Sequence, residues 1–407
     1  MSMTESGGRV ARVEFTGTRS ELFGLLLRGY LLMVPTVGIY RFWVTTLKRR
    51  FYWQHTVIDG EPLEYTGTAM QLLIGFLFAL AFFLPVYITF FYLSTQAPEI
   101  ALIGYAVVGV VLWFLSGYAI YRARDFRLSR TLWRGIRFDQ RGNAWAYALR
   151  RFLWSIAVVL SAGLLYPFMA SSLWRYRYNN SWYGDRQFRW TGSWKTIAGP
   201  YYLTYVTLVA ATVAAIVAVG AGPSVVIDGV PMPSPAGWGW FLLVGLLAFL
   251  AWFYFRSREA TRMFSEVWLG EARARVKVRA RALLGQFVLY VLALIGVSVL
   301  LAAVAGIIAA GLFTGAISQA SGSVAVDMAR LAQSSWITLA LLIGGYLLTI
   351  GSFALMGEVF LGYGFWMLVA RGATISNADS LATVRATAED RALVGEGLAD
   401  ALNVGAY

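Results

Sequence analysis

The sequence predicts a mainly α, polytopic helical membrane protein with six full spans, two re-entrant or interfacial helical pieces and small cytoplasmic β-hairpin elements. Three observations carry that prediction. The 407 residues are 58% hydrophobic and only 14% charged, yet the net charge is +13. Six segments reach the length of about 20 apolar residues that a bilayer core requires. Lysine and arginine collect in blocks between those segments, around Arg41–Arg50, Arg122–Arg151, Arg175–Lys195 and Arg256–Arg281. By the positive-inside rule these blocks belong on the cytoplasmic side.

Taken in chain order, residues 1–19 form a cytoplasmic N-terminal segment without the apolar core of a signal peptide. Residues 20–44 are apolar but interrupted by Pro35-Thr36-Val37-Gly38 and flanked by basic residues on both sides, so they enter and leave from one face. Thr56 to Tyr65 reads as strand, Asp-Gly turn, strand, within a hairpin region 51–68. Spans follow at 69–94 and 100–121. The piece 148–174, broken at Ala162-Gly163 and Pro167, repeats the re-entrant pattern; if it crossed, its basic successor would face outward and the uncharged loop 222–237 inward. Further spans lie at 200–221, 238–256, 284–318 and 336–366, with outside loops at 95–99, 222–237 and 319–335 and a cytoplasmic tail at 372–407. The period-two pattern Arg273 to Arg279 suits a strand with one basic face.

The chain also repeats itself. Phe15-Thr16-Gly17-Thr18, Tyr65-Thr66-Gly67-Thr68 and Trp190-Thr191-Gly192-Ser193 each precede an apolar helix, and Thr18 with Glu21 makes a capping-box pattern. Tyr40-Arg41-Phe42, Tyr166-Pro167-Phe168 and Tyr363-Gly364-Phe365 form a second recurrence. Together they divide the chain into copy one at 20–121, copy two at 122–256 and a divergent copy three at 257–371.

Gly38 to Trp43, Arg49-Arg50, His55-Thr56, Asp59-Gly60, Leu63 to Thr68 and Arg130 to Phe138 resemble the YjgN family of bacterial inner-membrane proteins over most of the chain. That family is a domain of unknown function, so the resemblance implies a bacterial inner-membrane address and no activity. It also implies a gene neighbourhood with membrane metalloproteases. The third copy departs from the pattern, with Gly364 in place of Arg41 and no basic doublet.

Candidate functional residues are few. Arg28 in the first short piece and Glu358 in the last span form a candidate intramembrane pair. Arg41, Arg49, Arg50, Trp174, Arg175 and Arg177 set cations beside aromatic rings, a pattern suited to lipid headgroups as well as to an aromatic belt. His55 reads as a surface histidine in a turn or as a proton relay. With no cysteine and one histidine, thiolate zinc sites and two-histidine metal sites are excluded. The absence of a phosphate-binding glycine loop or a catalytic constellation argues against an enzyme, and no cofactor is implied. The basic charge is expected to serve orientation and lipid contact, with no nucleic-acid partner. The expected function is a transporter or channel-like protein for a lipid or small amphiphile, and the alternative is a non-enzymatic scaffold or regulator of a partner such as a membrane metalloprotease. The expected partners are membrane lipids, with a homo-oligomer or a partner membrane protein.

Overall fold

A computed structural model describes residues 8–227, 230–319 and 335–387. The expected first seven residues, most of the loop 319–335 and the tail beyond 387 lie outside the described residues.

The short strands do not stay separate hairpins. Ten of them join in one closed antiparallel barrel, which corrects the expectation of a mainly α protein with small β-hairpin elements. In chain order they are β1 (Ala11–Phe15), β2 (Thr56–Ile58), β3 (Glu61–Tyr65), β4 (Thr131–Trp133), β5 (Ile136–Gln140), β6 (Ser181–Tyr183) and β7 (Arg186–Trp190). β8 (Ser224–Ile227) and β9 (Val230–Pro233) form a separate hairpin, and β10 (Val267–Leu269), β11 (Ala272–Val276) and β12 (Ala373–Ser376) complete the ring. The reason for the correction lies in the strand lengths. A hairpin of three and five residues is marginal alone, and its stabilising partners are neighbouring hairpins far away in sequence.

Four units share one construction: a helix runs into a three-residue strand, a two-residue turn and a five-residue strand, which leads into the next helix. Asp59-Gly60 and Arg134-Gly135 turn with positive φ at both residues, the twist that short hairpins need. The fifth unit is split between the ends of the chain, where β12 meets β1 through Ala11↔Ile375 and Arg12↔Thr374. One backbone staple then recurs five times, from the N–H just after each long strand to the carbonyl just before a short strand of the next unit. Its members are Thr16 to His55 (3.0 Å), Thr66 to Arg130 (2.9 Å), Arg141 to Asn180 (2.7 Å), Thr191 to Glu266 (3.1 Å) and Lys277 to Gly372 (2.9 Å).

The barrel interior is filled. Trp133, Tyr183 and Ala272 are buried in it together with Leu381 and Val384, which come from a 3-10 turn, Ala378–Thr383, and the residues after it. Tyr183 donates its hydroxyl to the Trp133 carbonyl at 2.9 Å, and burial pushes its pKa up to about 12. The C-terminal segment is held by Asp185, whose N–H donates to the Arg385 carbonyl (3.0 Å) and whose carboxylate accepts from the Arg385 N–H (3.1 Å).

Helical hairpins rise from the barrel between the β units. The long ones are α3 (Ala69–Gln96) with α4 (Pro98–Ser129), and α7 (Lys195–Gly220) with α8 (Gly239–Phe264). The third pairs α9 (Ala280–Gln319) with α10 (Ser335–Met356), which continues through a π-helical turn, Gly357–Gly362, into α11 (Tyr363–Arg371). The short ones are α1 (Arg19–Met33) with α2 (Arg41–Gln54), and α5 (Ala144–Leu160) with α6 (Tyr166–Asn179). Among the described residues six segments, all in the long hairpins, are long and apolar enough to cross a membrane, which makes the chain a membrane protein. The capping box at Thr18 forms: the Glu21 N–H donates to the Thr18 hydroxyl (3.3 Å) and the Thr18 N–H to the Glu21 carboxylate (3.0 Å). Those bonds hold the Glu21 carboxyl below its usual pKa.

Candidate functional site

Where the helices enter the barrel, charged and aromatic side chains form a collar, and the repeated sequence motifs build it. In two of the three aromatic-Thr-Gly copies the aromatic ring folds back over its own glycine, whereas Gly17 lies against Phe51 and His55 instead. A Cβ on Gly67 would sit 2.5 Å from the Tyr65 ring, and Gly192 lies equally tight against Trp190, so any side chain there would have to displace the ring. The glycine carbonyls are then tied to the incoming helices. Arg50 donates to Gly67 (3.3 Å), Arg175 to Gly192 (3.0 Å) and the Tyr363 hydroxyl to Gly17 (2.8 Å). The threonine of the motif reaches the next unit: the Thr66 hydroxyl donates to the Arg130 carbonyl (3.2 Å) and Thr191 to the Glu266 carboxylate (2.8 Å).

The candidate headgroup residues therefore split into two sets with structural partners. Buried Arg49 donates to the Tyr65 hydroxyl at 3.0 Å, and Arg41 lies over Phe42 and Phe76. Trp174 stacks on Tyr178 and meets Phe264 edge-on, while Arg177 lies over Trp174. One set sits on α2 and the other on α6, with the α3–α4 hairpin between them in chain order.

Glu358 is partnered by Lys48, at 2.7 Å, which joins the π-helical turn to α2. Arg28 is exposed on α1. A second carboxylate, which sequence reasoning missed, plays the matching part for the other short hairpin. Buried Glu259 on α8 accepts from Arg256 (2.7 Å) and from the Tyr166 hydroxyl on α6 (2.8 Å). The signal for it was a glutamate three residues after an arginine at the end of an apolar segment.

The Tyr-x-Phe residues do not share one role. Tyr40 stacks on Trp43, buried Phe42 packs on Phe76, Phe168 stacks on Trp194, and Phe365 lies under Arg256. His55 closes α2, with one ring nitrogen 2.8 Å from the Phe51 carbonyl and the ring against Phe51 itself. Among the described residues no cluster of three or more His, Cys, Asp or Glu side chains is placed to hold a metal ion.

The turn between α5 and α6 carries a feature the sequence reading missed. Three successive backbone carbonyls, at Ala162, Gly163 and Leu164, accept from the hydroxyls of Tyr205 (2.9 Å), Tyr201 (2.7 Å) and Tyr202 (2.9 Å) on α7. Carbonyls at the end of a helix have no partner within it, and the three hydroxyls satisfy those of this turn. Three tyrosines within five residues of an otherwise apolar helix were the visible signal.

No curated protein and no solved structure matches the chain. A family model described as a bacterial protein of unknown function, DUF898, matches residues 10–401, nearly the whole chain and every unit of the barrel. This agrees with the YjgN-family resemblance of the sequence motifs, and the chain belongs to that bacterial family of unknown function.

Proposed function

We propose that this protein binds a lipid or small amphiphile from the side, in the clefts above its two short hairpins, and moves it along the protein surface. The observation that carries the reading is how little of the long hairpins' most apolar surface is buried. In the most apolar stretch of each of the six helices, between 0% and 28% of the residues are buried. Beyond Tyr205, α7 continues to Gly220, about 22 Å at 1.5 Å per residue, past the clamped turn of α5–α6. Val107, Val110 and Val111 on α4 and Val206, Val209 and Val213 on α7 are exposed along these stretches. The filled barrel speaks against an aqueous path along the axis, so a lateral route is favoured over a channel.

The basic blocks support a cytoplasmic barrel, with both chain ends inside, in a bacterial inner membrane. Single cysteines at Ser234 and Arg186 test this: an impermeant reagent applied to spheroplasts labels the first and spares the second, and the reverse would invert the orientation. Function is tested in proteoliposomes, where the protein accelerates transbilayer movement of a fluorescent phospholipid and Val110→Trp with Val213→Trp slows it. A rate equal to protein-free vesicles would reject lipid transfer. The closed, packed barrel supports a second reading, a membrane-bound platform for a partner protein, which that negative result would favour.

A further inference from the structure

Each β unit opens into a notch after two residue pairs, where its long strand departs to join the next unit. In two units a small polar side chain two positions before the short strand fills the notch and bonds the last residue of the long strand. The Asn179 carbonyl oxygen accepts from the Trp190 N–H (2.9 Å), and the Ser265 hydroxyl accepts from the Val276 N–H (3.0 Å). In the unit made from the two chain ends the same position is Arg371, which donates to the Phe15 carbonyl at 3.3 Å. There the notch stays open, as a cavity of about 450 Å³ lined by Arg12, Glu14, Thr16, Arg371, Ala373 and Thr374.

We propose that this seam cavity binds a phosphate group, carried by an anionic lipid headgroup or a free phosphate. Arg371 is the last residue of the candidate span Ile343–Arg371, and the end of a span that crosses a bilayer lies at the headgroup level. Arg12 enters from the opposite strand, directly across from Thr374, and Arg275 flanks Thr374 on the other side. The hydroxyls of Thr16 and Thr374 make only long, 3.5 Å bonds to carbonyls and are available to a ligand oxygen. Two arginines and two hydroxyls lining one pocket supply the donors a tetrahedral oxyanion takes, for which arginine's fork is suited, and the volume leaves room for the rest of a headgroup. Glu14 opposes them with one carboxylate, so the cavity lining remains net positive. The cavity sits at the barrel seam and not in the clefts above the short hairpins. Phosphate binding and lateral lipid transfer therefore fail independently.

The test uses the full chain in phosphatidylcholine nanodiscs, with inorganic phosphate titrated calorimetrically, and in mixed micelles with phosphatidylglycerol retention counted by native mass spectrometry. Arg12→Gln and Arg371→Gln are each expected to weaken binding about tenfold, equivalent to about 1.4 kcal/mol. Glu14→Gln strengthens it, and Arg186→Gln on another strand leaves it unchanged. Arg12→Gln is the decisive variant, because Arg371 also ties down Phe15. Phosphate binding without selective lipid retention assigns the site to free phosphate, and retention of phosphatidylglycerol over phosphatidylcholine that Arg12→Gln abolishes assigns it to the headgroup. Binding that Arg12→Gln and Arg186→Gln alter equally, or no binding of either probe, overturns the proposal.

Discussion

The two short hairpins turn in the same way and are secured differently. Thr36, Val37 and Gly38 correspond to Ser161, Ala162 and Gly163, 125 positions later. In both, the two residues after the hydroxyl take positive φ, 50° and 82° in the first turn and 48° and 97° in the second. In both, the glycine N–H returns to the carbonyl five residues back, Met33 or Val158, at 2.8 and 2.7 Å. In both, the hydroxyl accepts from the N–H four residues on, Tyr40 or Leu165, at 3.2 Å. The second turn then receives three tyrosine hydroxyls from α7, whereas Val37 in the first is 91% exposed. Counting back 125 from Tyr201, Tyr202 and Tyr205 gives Phe76, Leu77 and Leu80 on α3, none of which can donate. Local sequence makes the turn, and the neighbouring helix decides whether its carbonyls are satisfied.

The sharpest way to break this comparison is at the glycines. Gly163→Ala places a Cβ 3.2 Å from the Tyr201 hydroxyl on top of the positive-φ strain, whereas Gly38→Ala meets nothing within 4 Å. We expect a loss of about 2–4 kcal/mol for the first and about 1 kcal/mol for the second, read as the fall in thermal midpoint in nanodiscs. Equal losses would mean that the clamp does not constrain the turn. Removing single donors comes next: Tyr201→Phe leaves a carbonyl without its partner and costs about 1–2 kcal/mol, while Tyr40→Phe changes stability by no more than a few tenths.

A smaller effect concerns how each short hairpin is tied to its long neighbour. In a double-mutant cycle, Lys48 and Glu358 should couple by about 0.5–1 kcal/mol, and Arg28 with Glu358 should be additive. Coupling confined to Arg28 would restore the pairing expected from sequence. The smallest effect is a gain. Phe76→Tyr offers the first turn a donor it lacks and is expected to slow amide exchange at Gly38 and Ile39 a few-fold, with under 1 kcal/mol of added stability. No change in exchange would show that α3 stands too far from that turn.

Much of this fold was visible in the chain. The apolar stretches 69–94 and 200–221 became α3 and α7 with ends shifted by a few residues, because helical hydrogen bonding continues into polar flanks after the hydrophobic signal stops. The breaks at Pro35 to Gly38 and at Ala162-Gly163 are the hairpin turns, and Asp59-Gly60 is the turn between β2 and β3. The site was less legible. Arg50 and Arg175 looked like exposed headgroup contacts, yet each reaches a backbone carbonyl about 17 positions away, which no local pattern announces. The seam cavity was hidden for a stronger reason, since its two arginines lie at opposite ends of the chain.

The sequence by itself determined which segments are apolar enough for a bilayer and where they turn. Those properties come from composition and local stereochemistry, which residues carry with them. Only the tertiary structure decided that five short hairpins close into one barrel, that the last of them is assembled from the two ends of the chain, and that Lys48, not Arg28, meets Glu358. Ring closure rests on backbone hydrogen bonds between strands of three to five residues. Every residue but proline offers the same N–H and C=O to such bonds, so the pairing leaves almost no trace in side-chain identity.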